Sequence, residues 1–218
     1  KNIVTDLSTL GKLYKSRKKT YIEQSVEYNI LDDYLNNGWE KAQELKTKCK
    51  IRKNKSHSKL FEDQIWCQFY ELGYRKLNRD ENLELPFSTE SSDKKQIDIL
   101  AIDDETAFII ECKSSESLKK APSYKEEFDS LRLRINGFRK AIQQIYGKEL
   151  KVQYIFATRN LRITENGVDI SRLNNAGAYH YNDNTFEYIN SLIKNYKKAA
   201  HYQFLALIFK NKKINNDL

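Results

Sequence analysis

The chain has 218 residues, 39% hydrophobic and 31% charged, with 14 Tyr, 10 Phe and 2 Trp; this is enough apolar material for a packed core and excludes wholesale disorder. Cys49, Cys67 and Cys112 are odd in number and lack a CxxC pair, and the His residues are scattered, which excludes a disulfide framework and a zinc cluster and fits a reducing cytoplasm. The net charge of +8 suits a polyanionic partner without identifying one, because a soluble basic surface gives the same number.

One globular domain with an appendage fits this length, and 7 Gly with 2 Pro favour long regular elements. No signal peptide opens the chain, and the longest apolar run, residues 204–209, is far too short to span a bilayer; no membrane partner is expected. A chain that begins at Lys1 and contains no Met also reads as a piece of a longer protein carrying a further recognition domain.

Residues 1–57 read as a basic, helical extension, in which Val26, Ile30, Leu31, Tyr34 and Leu35 recur at helical spacing until Asn36-Asn37-Gly38. Residues 46–59 carry seven Lys or Arg and no acid. Two readings stand for this run: Lys50, Arg52, Lys53 and Lys55 contact a nucleic-acid backbone, or the run is a solvated linker. Residues 60–72 form an amphipathic helix stopped by Gly73. Residues 83–87 are short and extended. The β-branched and apolar residues of 96–103 and 106–114 predict a hairpin. A helix over 125–146 turns Phe128, Leu131, Ile135, Phe138, Ile142 and Ile145 inward. A buried strand over 152–158, a short helix over 168–173, a strand over 178–181 and a helix over 185–196 complete a core spanning 58–197. Residues 198–218 are expected to be a helical tail. This order predicts an α/β sandwich with a central mixed sheet flanked by helices.

The hairpin holds the chemistry. A two-residue loop at Asp104-Glu105 would place Ile99 opposite Ile110 and Asp98 opposite Glu111. Directly opposed side chains stand about 4.5–5.5 Å apart at Cβ, where two carboxylates repel unless a cation lies between them. Lys113 shares the Glu111 face of its strand. The alternative is an Asp98–Lys113 ion pair with Glu111 at a solvated strand end. On the helix over 60–72, Glu62 falls within the apolar stripe of Phe61, Ile65, Trp66, Phe69 and Leu72, whereas Asp63, Gln64, Gln68 and Glu71 fall opposite. A carboxylate inside such a stripe breaks a local rule, as functional residues do; in the first turn it would equally favour the helix dipole.

Asp98, then Glu111-Cys112-Lys113, preceded by a helix bearing Glu62, resembles the PD-(D/E)XK superfamily, in particular its Mrr-like restriction-endonuclease branch, over residues 58–197. Ile97 stands where the motif has Pro. Residues 60–73, 96–114 and 199–209 are also similar to the nuclease-like N-terminal region of DGQHR-domain proteins, which are associated with bacterial DNA modification and defence; the DGQHR motif itself is absent. The resemblance implies a restriction-endonuclease-like sandwich and a DNA endonuclease of a bacterial restriction or phage-defence system. It implies Mg²⁺, with Mn²⁺ able to substitute, held by Asp98, Glu111 and the Cys112 carbonyl, with Glu62 assisting. Lys113 would orient a water or stabilise the developing charge, and a homodimer would serve cleavage of both strands.

On the helix after the hairpin, Gln143 and Gln144 match positions where family members place a residue near the site, and Arg139 and Lys140 are candidate phosphate contacts. Each is also an ordinary polar residue of a solvated helix face. A catalytically silent nucleic-acid-binding module on the same fold is the rival reading. No GxSxG, P-loop or dinucleotide fingerprint is present, which removes the common hydrolase and nucleotide-binding alternatives.

Overall fold

A computed structural model describes residues 2–80, 82–88, 93–163 and 168–210. Strand β1 (Ile3–Val4) leads into helix α1 (Leu7–Arg17), whose first turn is capped by the Asp6 carboxylate accepting the Thr9 N–H. There follow β2 (Tyr21–Glu27), α2 (Leu31–Asn36), β3 (Glu40–Glu44) and β4 (Lys48–Asn54). Helix α3 (His57–Leu72) starts at a Ser56 cap and stops at Gly73, whose φ of 110° is open to glycine and strained for other residues. Next come β5 (Lys76–Asn78), β6 (Leu83–Pro86), β7 (Lys94–Ile97), β8 (Ile99–Ile102) and β9 (Thr106–Lys120). The chain continues through α4 (Lys125–Tyr146), β10 (Lys151–Arg162), α5 (Val168–Asn175), β11 (Ala178–Tyr181), α6 (Asp183–Tyr196) and α7 (Ala200–Lys210).

Residues 99–102 and 107–110 are apolar at every position, so neither face of these strands can meet water and both must be covered. They lie at the centre of a six-stranded mixed sheet of order β1-β5-β8-β9-β10-β11. The β9–β10 and β10–β11 pairs are parallel and the others antiparallel. Side chains alternate between the two faces. Phe108 and Ile110 pack with Phe61, Ile65 and Phe69 of α3, Ile189 of α6 and Phe204 of α7. Ala107 and Ile109 pack with Phe128, Leu131 and Phe138 of α4 and Leu173 of α5. The expected α/β sandwich is therefore present, with α3, α6 and α7 on one side and α4 and α5 on the other. The hairpin register is also as expected: Ile99 pairs with Ile110, Leu100 with Ile109, Ala101 with Phe108 and Ile102 with Ala107.

The helical reading of the N-terminal extension is corrected. Residues 21–54 form an antiparallel sheet of order β2-β4-β3, interrupted only by short helical turns. Its small core comprises Val26, Leu31, Cys49 and Ile51. The basic run is thus no linker: β4 is the central strand, turning Cys49 and Ile51 inward while Lys48 and Arg52 face out. Nor are α1 and α7 peripheral. β1 pairs with β5, Leu10 is fully buried in the larger core, and Ala200, Phe204 and Ile208 of α7 enter that same core. Residues 211–218 of the expected tail lie outside the described residues.

Two polar devices hold these layers. On α3, the buried Asp63 meets Arg17 from the end of α1, Lys55 at 2.8 Å and Lys59 at 3.2 Å. On the other side, the β6–β7 hairpin presses on α4 at Gly137. A Cβ there would stand 1.8 Å from the Phe87 carbonyl oxygen, so only glycine admits this approach.

Candidate active site

Asp98 occupies the single-residue break between β7 and β8, where the chain leaves the small hairpin for the central sheet. Its Oδ2 accepts the Cys112 N–H at 2.7 Å, which ties it to β9 near Glu111. The break is bridged by the fully buried Asn78. The Asn78 side chain donates to the Asp98 carbonyl at 2.9 Å and accepts the Leu100 N–H at 3.1 Å, replacing the ladder bonds that the kink removes.

The two-residue period of β9 puts Glu111 and Lys113 on the α4 face and Cys112 and Ser114 on the α3 face. Glu111 is 6% exposed. Its Oε1 lies 2.8 Å from Lys113 Nζ, and its Oε2 lies 3.2 Å from Lys95 Nζ on β7. Lys113 Nζ also stands 3.6 Å from Glu127 Oε1 on the first turn of α4. The expected neighbourhood of Asp98, Glu111 and Lys113 is therefore present, with Lys95 and Glu127 added. The rival Asp98–Lys113 pairing is not what forms; Lys113 pairs with Glu111 and Glu127.

Burial pushes the Asp98 carboxyl up to about 6, and the Glu111 charge adds to that effect, against the pull of the Cys112 N–H, Lys113 and Lys95. Burial also works against charge on Lys113, but Glu111, Glu127 and Asp98 outweigh it and hold its pKa above the ordinary lysine range. At neutral pH Lys113 is thus a fixed cation and not a proton acceptor.

Glu62 comes from the other side of the sheet. It pairs with Lys59 at 3.8 Å, and its charge, with those of Asp98 and Glu111, adds to the burial that raises the Cys112 thiol. Among the described residues, no three of His, Cys, Asp and Glu are grouped so as to hold a metal. A two-carboxylate site nevertheless fits a hard divalent cation. Asp98 and Glu111 repel one another, Asp98 Oδ1 has no protein donor among the described residues, and the donors are all oxygen.

Gln143 and Gln144 lie toward the other end of α4. Gln143 donates to the Leu150 carbonyl at 2.9 Å, ahead of the point where β10 pairs with the start of β9, and Gln144 is exposed. Helix α4 meets the site through its first turn, so Glu127 takes the place expected of the glutamines. The candidate DNA contacts are largely occupied. Lys50 faces Glu23 at 3.8 Å, Arg52 pairs with Glu40 at 3.4 Å, and Lys53 donates to the Asn37 carbonyl at 2.8 Å. Lys55 is buried against Asp63, Arg139 binds its own helix at Asn136, and Lys140 is exposed.

Sequence reasoning missed Lys95, Glu127, Asn78 and Asp63. Lys95 had a local signal, because it belongs to the strand that delivers Asp98. The others are defined by contacts distant in sequence. Among the described residues, no helix is long and apolar enough to cross a membrane.

No family model matches this sequence, and no curated protein matches it. A crystal structure of protein VC1899 from Vibrio cholerae is similar over 88% of this chain and 52% of that one, at 13% identity and a TM-score of 0.41. The chain spans about half the length of that protein, and likeness at this level says nothing of chemistry.

Proposed function

We propose that this chain is a Mg²⁺-dependent DNA endonuclease of the PD-(D/E)XK type, acting in bacterial restriction or phage defence. The observation that carries the reading is the register of the central hairpin. It sets Asp98 against Glu111 with Lys113 on the same face, at the cost of a buried carboxylate pushed up to about 6. Charge at this expense is retained where it binds something.

Asp98, Glu111 and the Cys112 carbonyl would hold Mg²⁺ or Mn²⁺, which when bound supplies Lewis-acid polarisation of a phosphodiester and a water of lowered pKa. The residues do the rest. Lys113, held as a cation, offers a donor to the phosphoryl oxygens as negative charge develops on them. Glu127 and Glu111 fix the Lys113 stem between them, and Lys95 provides a second cation on the opposite side of Glu111. The Cys112 N–H orients the Asp98 carboxylate and leaves its second oxygen for a ligand.

One observation favours the silent-module reading: both Glu111 oxygens already rest on ammonium groups, so the cluster is neutralised within the protein. Incubating plasmid DNA with Mg²⁺ or Mn²⁺ and the wild type, Asp98→Ala and Lys113→Ala separates the two. We expect nicking or cleavage by the wild type and at least about 100-fold less by either variant with the fold intact, as for loss of a group that stabilises transition-state charge. DNA bound but uncut by all three proteins would leave the silent module.

A further inference from the structure

Beside Glu111, between the sheet and α4, lies a cavity of about 100 Å³. Its walls are Phe128, Leu131, Phe138 and Phe156, and its polar groups are Lys95, Glu127, Ser130, Arg134 and Tyr154. Lys95 belongs both to this cavity and to the Glu111 ion pair, so the two spaces share a wall. Tyr154 pairs with Ile109 and Phe156 with Glu111, which puts the Tyr154 ring two residues deeper on the Glu111 face of the sheet.

Tyr154 is 3% exposed, and its side chain lines the cavity. Burial, reinforced by the charges of Glu111, Glu127 and Asp98, drives its phenol well above the ordinary range, so it remains a donor. A ligand edge that accepts from this phenol would gain a hydrogen bond in low-dielectric surroundings. The ring lies nearly parallel to Phe138, with an interplanar angle of 22°. The cavity is far smaller than a site for a drug-sized molecule. Apolar and aromatic walls disfavour a phosphate, which would lose its hydration there. They suit a flat ring that carries acceptor atoms on its edge.

We infer that this cavity is a base subsite: it receives one pyrimidine swung out of the helical stack, whose edge accepts a hydrogen bond from Tyr154. The inference rests on the nuclease reading in placing the scissile phosphate at Glu111 and Lys113, with the base of an adjoining nucleotide entering past Lys95. Unstacking is least costly in single-stranded or distorted DNA, so the subsite selects such substrates.

The test compares two fluorescein-labelled 12-nucleotide probes by anisotropy in EDTA: oligothymidylate, and an abasic chain with the same phosphates. The proteins are the wild type, Tyr154→Phe and the cavity-filling Ser130→Phe, each checked by thermal melting. The wild type is expected to bind oligothymidylate about 10-fold tighter than the abasic chain, in line with stacking of one base. Tyr154→Phe should reduce that ratio about 3- to 10-fold and Ser130→Phe should abolish it, both leaving abasic binding unchanged. Equal binding of the two probes by the wild type, or a ratio untouched by both substitutions, overturns the inference. Plasmid cleavage measured in parallel keeps the two proposals apart. Base preference without cutting supports the subsite and sinks the nuclease, while cutting without base preference does the reverse.

Discussion

Two glycines inside helices should respond to the same substitution with opposite signs. Replacing glycine by alanine in a helix interior gains about 1 kcal/mol from propensity alone. At Gly11 in α1 the nearest atom to a new Cβ is the Tyr70 hydroxyl at 3.9 Å, so the gain should be realised in full. At Gly137 the Cβ would stand 1.8 Å from the Phe87 oxygen and 2.5 Å from its carbonyl carbon, both backbone atoms that cannot swing aside. The β6–β7 hairpin would have to retreat by roughly 1 Å, loosening the Phe87–Phe138 edge contact and the packing of Leu83, Leu85 and Ile97 on α4. Overpacking of this kind costs about 3 kcal/mol at the upper end of its range, which leaves a net loss of about 2 kcal/mol. For a chain of this size that is a fall in melting temperature of about 4–8 °C for Gly137→Ala, against a rise of about 2–4 °C for Gly11→Ala. Scanning calorimetry on both variants decides the matter. A Gly137→Ala protein as stable as the wild type would refute the close approach of hairpin and helix, and with it the placement of Lys95.

Asp98→Asn should stabilise the metal-free protein above pH 6 by about 1–3 kcal/mol, an advantage that disappears toward pH 4. Its folded pKa of about 6 exceeds the ordinary 3.8, so within that window the folded state binds more protons and stability falls as pH rises. His180, which burial holds down to about 4, acts in the opposite direction, losing stability as pH falls below 6.5. Comparing variant with wild type at each pH in EDTA cancels that contribution, and identical melting at pH 8 would contradict the buried-carboxylate argument. Asp63→Ala leaves the nearly buried Lys55 and Arg17 without their anion; a loss of about 3–5 kcal/mol is expected. Chemical denaturation showing less than about 1 kcal/mol would mean that these cations reach solvent.

Much of the central architecture was readable because each element carried one dominant pattern. Helix α4 runs over the expected 125–146 because Phe128, Leu131, Ile135, Phe138 and Ile142 form one unbroken stripe. Only Ile145 departs, at 60% exposed, since the helix has by then run past the sheet. The hairpin register followed from apolar residues that leave no polar face on which a slipped strand could settle. Asp63 and Gln68 were placed on a solvent side that does not exist, because α1 and α6 cover α3 there. A helix's own sequence cannot report what distant elements lay over it. In β4 the alternation of Cys49 and Ile51 was present but masked by four Lys and Arg between residues 48 and 53, which look like a linker until β2 and β3 bring acids beside them. The site was half legible: its β9 motif is local, whereas Lys95, Glu127 and Tyr154 converge only through the β6–β7 hairpin and the β9–α4–β10 crossover.

The distribution of the three sulfhydryls has a practical consequence. Cys49 sits in the small sheet, Cys67 on α3, and Cys112 on the strand whose amide orients Asp98. Burial lifts Cys67 to about 12 and Cys112 well above the usual thiol range, so neither supplies much nucleophilic thiolate while its surroundings stay closed. Alkylation at Cys67 is therefore timed by the transient opening of its own region, and that at Cys49, fully buried, by the parting of the small sheet, whereas Cys112 is only half-buried. The molecule carries two internal clocks, one in the larger core and one in that of the small sheet, and neither requires an added label to be engineered in.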